Sequence, residues 1–313
     1  MQPTQVQTSR WQTLTQHRWF GGLLVLVGAI LYSSKAIFVK LSYQVTDIES
    51  VPLLALRMGF ALPIYLTFAL RAKAPKDIAT PPTWRDHLAL FLTGLSGYYL
   101  ASLFDFIGLK YVSAGIERLI LFSYPTLVLL LSWIWLKKPI RGIHLLALFL
   151  TYSGIALVMQ GDTQIADSKS LWIGGGWVFL AALFYAIYLV ANERLIPKYG
   201  SIRFTSLSML GAASVVIIQA FAMGYGDLWH YPLEIYAYTF SMAVIATVIP
   251  SFLIVEGIKR IGAHNTAIIG SIGPVSTILL AYLFLGEVLS PLQMVGTAVV
   301  MAGVLSITLR KKA

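Results

Sequence analysis

Residues 108–125 read GLKYVSAGIERLILFSYP, and residues 257–274 read GIKRIGAHNTAIIGSIGP. A shift of 149 positions lays one on the other without a gap: Gly108 on Gly257, Lys110 on Lys259, Ala114 on Ala263, Ile120 on Ile269 and Pro125 on Pro274. The same shift carries Leu130 and Leu131 onto Leu279 and Leu280, Leu136 onto Leu285, and Gly154 onto Gly303. Leucine matches are cheap in an apolar chain, whereas coincident Gly, Lys and Pro are not. A shift of 153 pairs Trp19, Gly21, Gly22, Ala29 and Tyr32 with Trp172, Gly174, Gly175, Ala182 and Tyr185. The chain therefore reads as two related halves, residues 1–160 and 161–313.

Working outward, the repeat sits in a chain of 313 residues that is 58% hydrophobic and only 12% charged, with a mean hydropathy of +0.76. That is too apolar for a domain solvated by water. A helix needs about 20 mostly apolar residues to cross the hydrocarbon. Such runs are expected at 20–42, 51–70, 88–109, 113–135, 142–160, 172–192, 203–223, 235–257, 264–285 and 291–309. The fold class is an all-α membrane protein of ten transmembrane helices. Five helices per half is an odd number, so the second half enters the membrane from the opposite side and the repeat is inverted. The first run is too long for a signal-peptide core and reads as a retained helix.

The formal charge of +10 invites a nucleic-acid reading until its distribution is examined. With the N-terminus cytoplasmic, one set of connections and ends holds 17 Lys and Arg, among them Arg71, Arg85, Lys137, Lys138, Arg194, Lys198 and Arg260. The other set holds two, Lys110 and Lys169. This bias is the positive-inside signature of an even helix count with both ends cytoplasmic, and it makes nucleic acid a poor partner. Trp19, Trp84, Trp133, Trp135, Trp172 and Trp229 fall near expected helix ends, where an indole buries its ring and keeps its N–H wet.

Taken together, the five-plus-five duplication, Arg57 followed by Ala61 in the second helix, the paired prolines, the Leu285-Gly286-Glu287 turn and the Gly154/Gly303 pair resemble the drug/metabolite transporter superfamily, in its EamA-type ten-helix branch. The first half departs from that turn with Leu136-Lys137-Lys138. The resemblance implies a multi-pass carrier of the cytoplasmic (inner) membrane, often an exporter of amino acids or related metabolites, holding its solute between the halves. Inverted halves suit this work, since they offer outward-open and inward-open states of comparable energy around a midplane site. Small four-helix drug exporters of the superfamily place a glutamate in the first helix to bind cations and protons. Here the first helix carries Lys35 instead, which turns the expectation away from cationic drugs.

Ionisable groups inside a span are costly unless paired or hydrated, so they are functional candidates by default. For solute binding these are Lys35, as a partner for a carboxylate, with Tyr32, Tyr98, Tyr99, Tyr185 and Tyr188 as an aromatic lining. For gating or coupling they are Arg57, Asp105, Glu117 and Arg118 toward the outer half, with Glu193 and Glu256 as inner counterparts. Opposite ionic clusters closing alternate sides would reduce the cost of burying each charge. Pro125 and Pro274, as repeat mates, read as mid-helix hinges. Asp105, Glu117 and Glu256 offer sites for proton coupling, and an uncoupled facilitator fits equally well.

The chain has no Cys, and its five His show no metal-ligand spacing, so no metal is expected. No P-loop, dinucleotide fingerprint or nucleophile elbow occurs, so no cofactor is expected and an enzyme is disfavoured. The expected partners are a small-molecule solute and membrane lipid, with the protein a monomer or homodimer. Competing readings are an exchanger of nucleotide sugars or phosphorylated metabolites, which needs several cavity cations, and a lipid flippase, which needs a lateral opening. An intramembrane enzyme lacks a catalytic constellation.

Overall fold

The computed structural model describes residues 18–72, 81–137, 142–162, 168–270 and 272–308, with the side chains of Arg18, Ile143, Asp162, Ser168, Glu193, Ile258, Lys259, residues 262–268, Val304, Ile307 and Thr308 outside that description. Every regular element among the described residues is helical. The helices are α1 (Arg18–Ser33), α2 (Lys35–Val45), α3 (Ser50–Arg71), α4 (Trp84–Gly94), α5 (Ala101–Gly108), α6 (Ala114–Leu121) and α7 (Tyr124–Leu136). They continue as α8 (Gly142–Asp162), α9 (Ser168–Tyr199), α10 (Ser201–Ala222), α11 (Leu233–Ala243), α12 (Ile249–Gly270), α13 (Gly273–Leu285) and α14 (Pro291–Thr308).

Among the described residues seven stretches are long and apolar enough to cross a membrane: Trp19–Val45, Ser50–Arg71, Trp84–Gly108, Ala114–Leu136, Lys169–Asn192, Ser201–Ala222 and Leu233–Gly257. Three shorter apolar helices, His144–Gln160, Gly273–Leu285 and Pro291–Gly303, fall on the remaining expected runs. The six Trp expected at helix ends are all exposed, as indoles at a membrane boundary would be.

Three spans are interrupted. The first breaks at Ser34, where the Ser33 hydroxyl donates to the Ala29 carbonyl at 2.8 Å and the Ser34 hydroxyl to the Leu31 carbonyl at 2.6 Å. Such bonds compete with the backbone ladder. The fourth breaks at Phe122 and Ser123, and another break precedes Gly273. Pro125 and Pro274 therefore do not kink continuous helices. Each lies in the first turn of the helix that restarts after a break, where a missing N–H has no intrahelical acceptor to lose. Helical bonding also runs on to Gly270, beyond the end expected at 257. No proline stands between 258 and 270 to stop it.

Between α4 and α5 the helix widens into a π turn at Leu95–Leu100, and between α11 and α12 into another at Val244–Val248. The two begin 149 positions apart, the spacing of the sequence repeat. Close crossings recur at the same spacing. A Cβ on Gly108 would come within 2.5 Å of Val178 and 3.0 Å of the Gly174 carbonyl, and one on Gly257 would strike Val25 and approach the Gly21 carbonyl at 3.2 Å. Only glycine permits these contacts. At the edge of the bundle α8 and α14 cross through Gly154, Gly296 and Gly303 in the same way.

The helix directions place the connections 46–49, 109–113, 223–232 and 286–290 at one end of the bundle, called here the Glu287 face. The opposite end, the Lys198 face, is tied by Lys198 to Asp86 at 2.7 Å and by the Tyr199 hydroxyl to His87 Nδ1 at 2.8 Å.

Candidate functional site

The three helix breaks meet. The Ser33 hydroxyl, at the end of α1, donates to the Gly273 carbonyl at the start of α13 (3.1 Å), and Thr277 donates to the Ser33 carbonyl at 3.4 Å. The α6–α7 break lies beside them, since the Arg118 guanidinium occupies the space that a Gly273 side chain would fill. Interrupted helices leave backbone polar groups and side chains facing inward where continuous helices would present only side-chain faces.

A cavity of about 340 Å³ opens at this junction, lined by Tyr32, Lys35, Asp105, Arg118, Tyr124 and Tyr185 together with smaller apolar residues such as Ala29 and Ala101. Lys35, the first residue of α2, sits at the positive end of that helix, an unfavourable place for a cation. Asp105 on α5 compensates: the Lys35 Nζ lies 2.6 Å from its Oδ2, with the two side chains 7% and 2% exposed. The Lys35 ammonium also lies 5.8 Å from the centre of the Tyr32 ring.

Glu117 on α6 is 1% exposed, and its carboxyl neighbours that of Asp105. No hydrogen-bond donor among the described residues reaches either Glu117 oxygen. Arg118 is the next residue but turns to the cavity, stacking at 5.6 Å over the Tyr32 ring. Its Nε is buried without a hydrogen-bond partner among the described residues. The layer thus holds two cations and two carboxyls, of which Lys35 and Asp105 are committed to each other and Arg118 faces the open space.

The tyrosines divide. Tyr32, Tyr124 and Tyr185 reach the cavity. Tyr185 stacks on Tyr188 at 5.9 Å, and the Tyr188 and Tyr98 hydroxyls share a hydrogen bond of 2.7 Å, so these two form a second layer behind the lining. Gly97 makes that layer possible, because any side chain there would collide with the Tyr188 ring. Tyr99 points elsewhere and donates to Gln219 at 2.8 Å.

Arg57 is buried on α3 away from the cavity lining. Its Nε donates to Thr247 Oγ1 at 3.1 Å, while the Thr247 hydroxyl donates to the Met242 carbonyl at 2.9 Å. Its guanidinium also lies 5.5 Å from the Phe106 ring centre, and its Nη1 is buried without a hydrogen-bond partner among the described residues. Arg57 therefore joins two helices rather than facing the cavity. Glu256, near the Lys198 face, accepts from Arg260 one turn along α12, at 3.0 Å from Nε and 2.8 Å from Nη2. The Glu193 side chain lies outside the described residues.

Tyr124 and Ser33 were not singled out by composition or spacing. Tyr124 precedes the repeat proline and Ser33 adjoins Lys35, so proximity to known breakers and charges was the available signal.

The EamA-like transporter family model matches this chain twice, over residues 19–160 and 172–309. Among curated relatives, the uncharacterized transporter YcbK of Bacillus subtilis (strain 168) is 33% identical over 282 residues, covering 88% of each chain. The uncharacterized inner membrane transporter YicL of Salmonella typhimurium is 25% identical, covering 92% of this chain and 95% of that one. A protein of known crystal structure shares the fold at a TM-score of 0.62 and 17% identity, covering 94% of this chain and 98% of the other.

Proposed function

Because the chain belongs to the EamA-like transporter family, and is thereby a multi-pass membrane transporter, we propose that it is a secondary exporter of a small metabolite, an amino acid or close relative first, working by alternating access. All ten apolar helices cross the cytoplasmic membrane in this reading. The Lys198 face is cytoplasmic, because the basic connections gather there, and the two matched ranges act as inverted halves.

The observation that carries the proposal is the cavity of about 340 Å³ between the broken helices. It lies at the small end of ligand pockets, which run from about 300 to 1,000 Å³. Arg118 is the cation available to a solute carboxylate, since its planar fork suits bidentate contact and Lys35 is held by Asp105. Tyr32, Tyr124 and Tyr185 supply the walls for an apolar or aromatic body. The adjoining Asp105 and Glu117 carboxyls form a place for one shared proton, which supports proton coupling.

Among the described lining residues one cation, Arg118, is uncommitted, which counts against phosphorylated solutes, which would want several. A lipid flippase is disfavoured by the lining of the lateral groove of about 520 Å³ between Leu31, Phe38, Ile245 and Phe284, which contains no charged residue to receive a headgroup. The test is flux of amino acids into proteoliposomes, with and without a pH gradient, for the unaltered protein and Arg118→Gln. Loss of flux in the variant is expected. Unaltered flux in Arg118→Gln, or transport of sugar phosphates in preference to amino acids, would overturn the assignment.

A further inference from the structure

Glu287 lies outside the cavity, yet it makes a contact that ties the two halves together. The carboxylate accepts the backbone N–H of Ala114 at 3.0 Å through Oε1 and that of Gly115 at 3.2 Å through Oε2. Both donors belong to the first turn of α6, whose N-cap Ser113 accepts from Ile116. The first N–H groups of a helix have no internal acceptor, and a carboxylate there also meets the positive end of the helix dipole.

The carboxylate reaches α6 because of the turn that carries it. Gly286 ends α13 in the left-handed region, at φ 68°, a conformation glycine adopts without strain. The Gly286 and Glu287 N–H groups both turn back to the Ala281 carbonyl, the latter at 3.2 Å, so the end of the helix is closed by its own backbone. The Leu285-Gly286-Glu287 turn is therefore a rigid bracket that swings one acid back across the end of α13 and onto α6.

One turn further along, α6 carries Glu117 and Arg118. Arg118 leans on Gly273, at the other end of α13. The α6 and α13 helices are thus joined at both ends, at the Glu287 face by the cap and near the cavity by Arg118. In the sequence repeat the positions aligned with Gly286 and Glu287 are Lys137 and Lys138. An ammonium cannot accept a backbone N–H, so the first half has no equivalent acid to offer.

We propose that Glu287 is a positioning residue for transport: it clamps α6 to α13, holds the Glu287 face shut, and must release the α6 N-terminus when that face opens. The proposal rests on the alternating-access reading above. A capping carboxylate in this setting biases the closed state about 5- to 30-fold.

The natural chain has no cysteine, so Ala101→Cys, in the cavity lining, provides a single reporter for a membrane-impermeant maleimide applied to right-side-out and inside-out vesicles. Glu287→Gln should raise the ratio of labelling from the Glu287 face to labelling from the Lys198 face about 5- to 30-fold. Ala114→Pro deletes one donor at a helix position that tolerates proline. It should shift the ratio in the same direction, and the two changes together should add little beyond the first. A structural defect alone would raise labelling from both faces equally. Reactivity from both faces with an unchanged ratio overturns the clamp and leaves the transport reading standing. Reactivity from one face alone in every variant overturns both.

Discussion

Replacing Lys35 with Met should destabilise the protein by about 5 kcal/mol and replacing Asp105 with Asn by about 3 kcal/mol, whereas making both changes should cost only about 1 kcal/mol. The charges are 2.6 Å apart and almost fully buried. At an effective dielectric of about 20, their attraction is about 6 kcal/mol before desolvation. Withdrawing each ion from water costs several kcal/mol, so attraction and desolvation nearly cancel and the pair adds little net stability. Removing one partner leaves the other's desolvation uncompensated. The asymmetry comes from Glu117. With Asp105 neutralised, the adjoining Glu117 carboxyl is left for Lys35 to turn to, but without Lys35 two carboxyls keep Arg118 as their remaining neighbouring cation. Thermal unfolding of purified protein in detergent reads this at about 2 °C per kcal/mol for a chain of this length. The expected losses are about 10 °C for Lys35→Met, about 6 °C for Asp105→Asn and about 2 °C for the double variant. A double variant about 16 °C below the parent, the simple sum of the singles, would refute the pairing.

Gly108→Leu and Gly257→Leu should each abolish the monodisperse peak in size-exclusion chromatography, because the side chain would overlap Val178 or Val25 across a helix crossing. Gly59→Ala, with nothing within 4 Å of the added atom, should leave the peak unchanged. Gly273→Ala puts a methyl 2.5 Å from Arg118 Nη2, a flexible group that moves at little cost. Transport KM should rise about 10-fold, as for a lost charge-assisted contact, while the melting temperature shifts by less than about 2 °C. Tyr98→Phe and Tyr188→Phe each break the same hydroxyl–hydroxyl bond and should cost about 1 kcal/mol apiece. Because the bond is shared, a double variant that loses the full sum of the two singles in thermal melts would show that the hydroxyls act independently.

Much of the fold was legible because its signals are local. Ten apolar runs, Trp at their ends and two turns built from Gly and Pro are read residue by residue, since a helix in lipid satisfies its own backbone and needs no distant partner to exist. The 149-residue repeat is likewise a property of the chain, and the two π turns obey it. The site was legible in kind but not in arrangement. Lys35, Asp105, Glu117 and Arg118 stood out because charge in a span is rare. Nothing along the chain told which of the two cations Asp105 would take, because that choice depends on where α2, α5 and α6 meet. Tyr98, Tyr99 and Tyr185 looked equivalent on paper, yet one backs the cavity, one bonds Gln219 and one lines the open space.

Pro125 and Pro274 show the division most plainly. Their repeat spacing and helix-breaking chemistry were fixed by residue type, and a kink was the natural expectation from a missing N–H. The tertiary structure instead used each proline to restart a helix after a gap, bringing the gap beside Ser33 and Arg118 and opening the cavity there. Sequence alone determined that this chain lives in a membrane as apolar helices of related halves, because burial in lipid and backbone satisfaction act on each segment by itself. Only the packed bundle decided which charges pair, which tyrosines face the cavity and which acid caps which helix, because those energies exist only between groups far apart in the sequence, 173 positions in the case of Glu287 and Ala114.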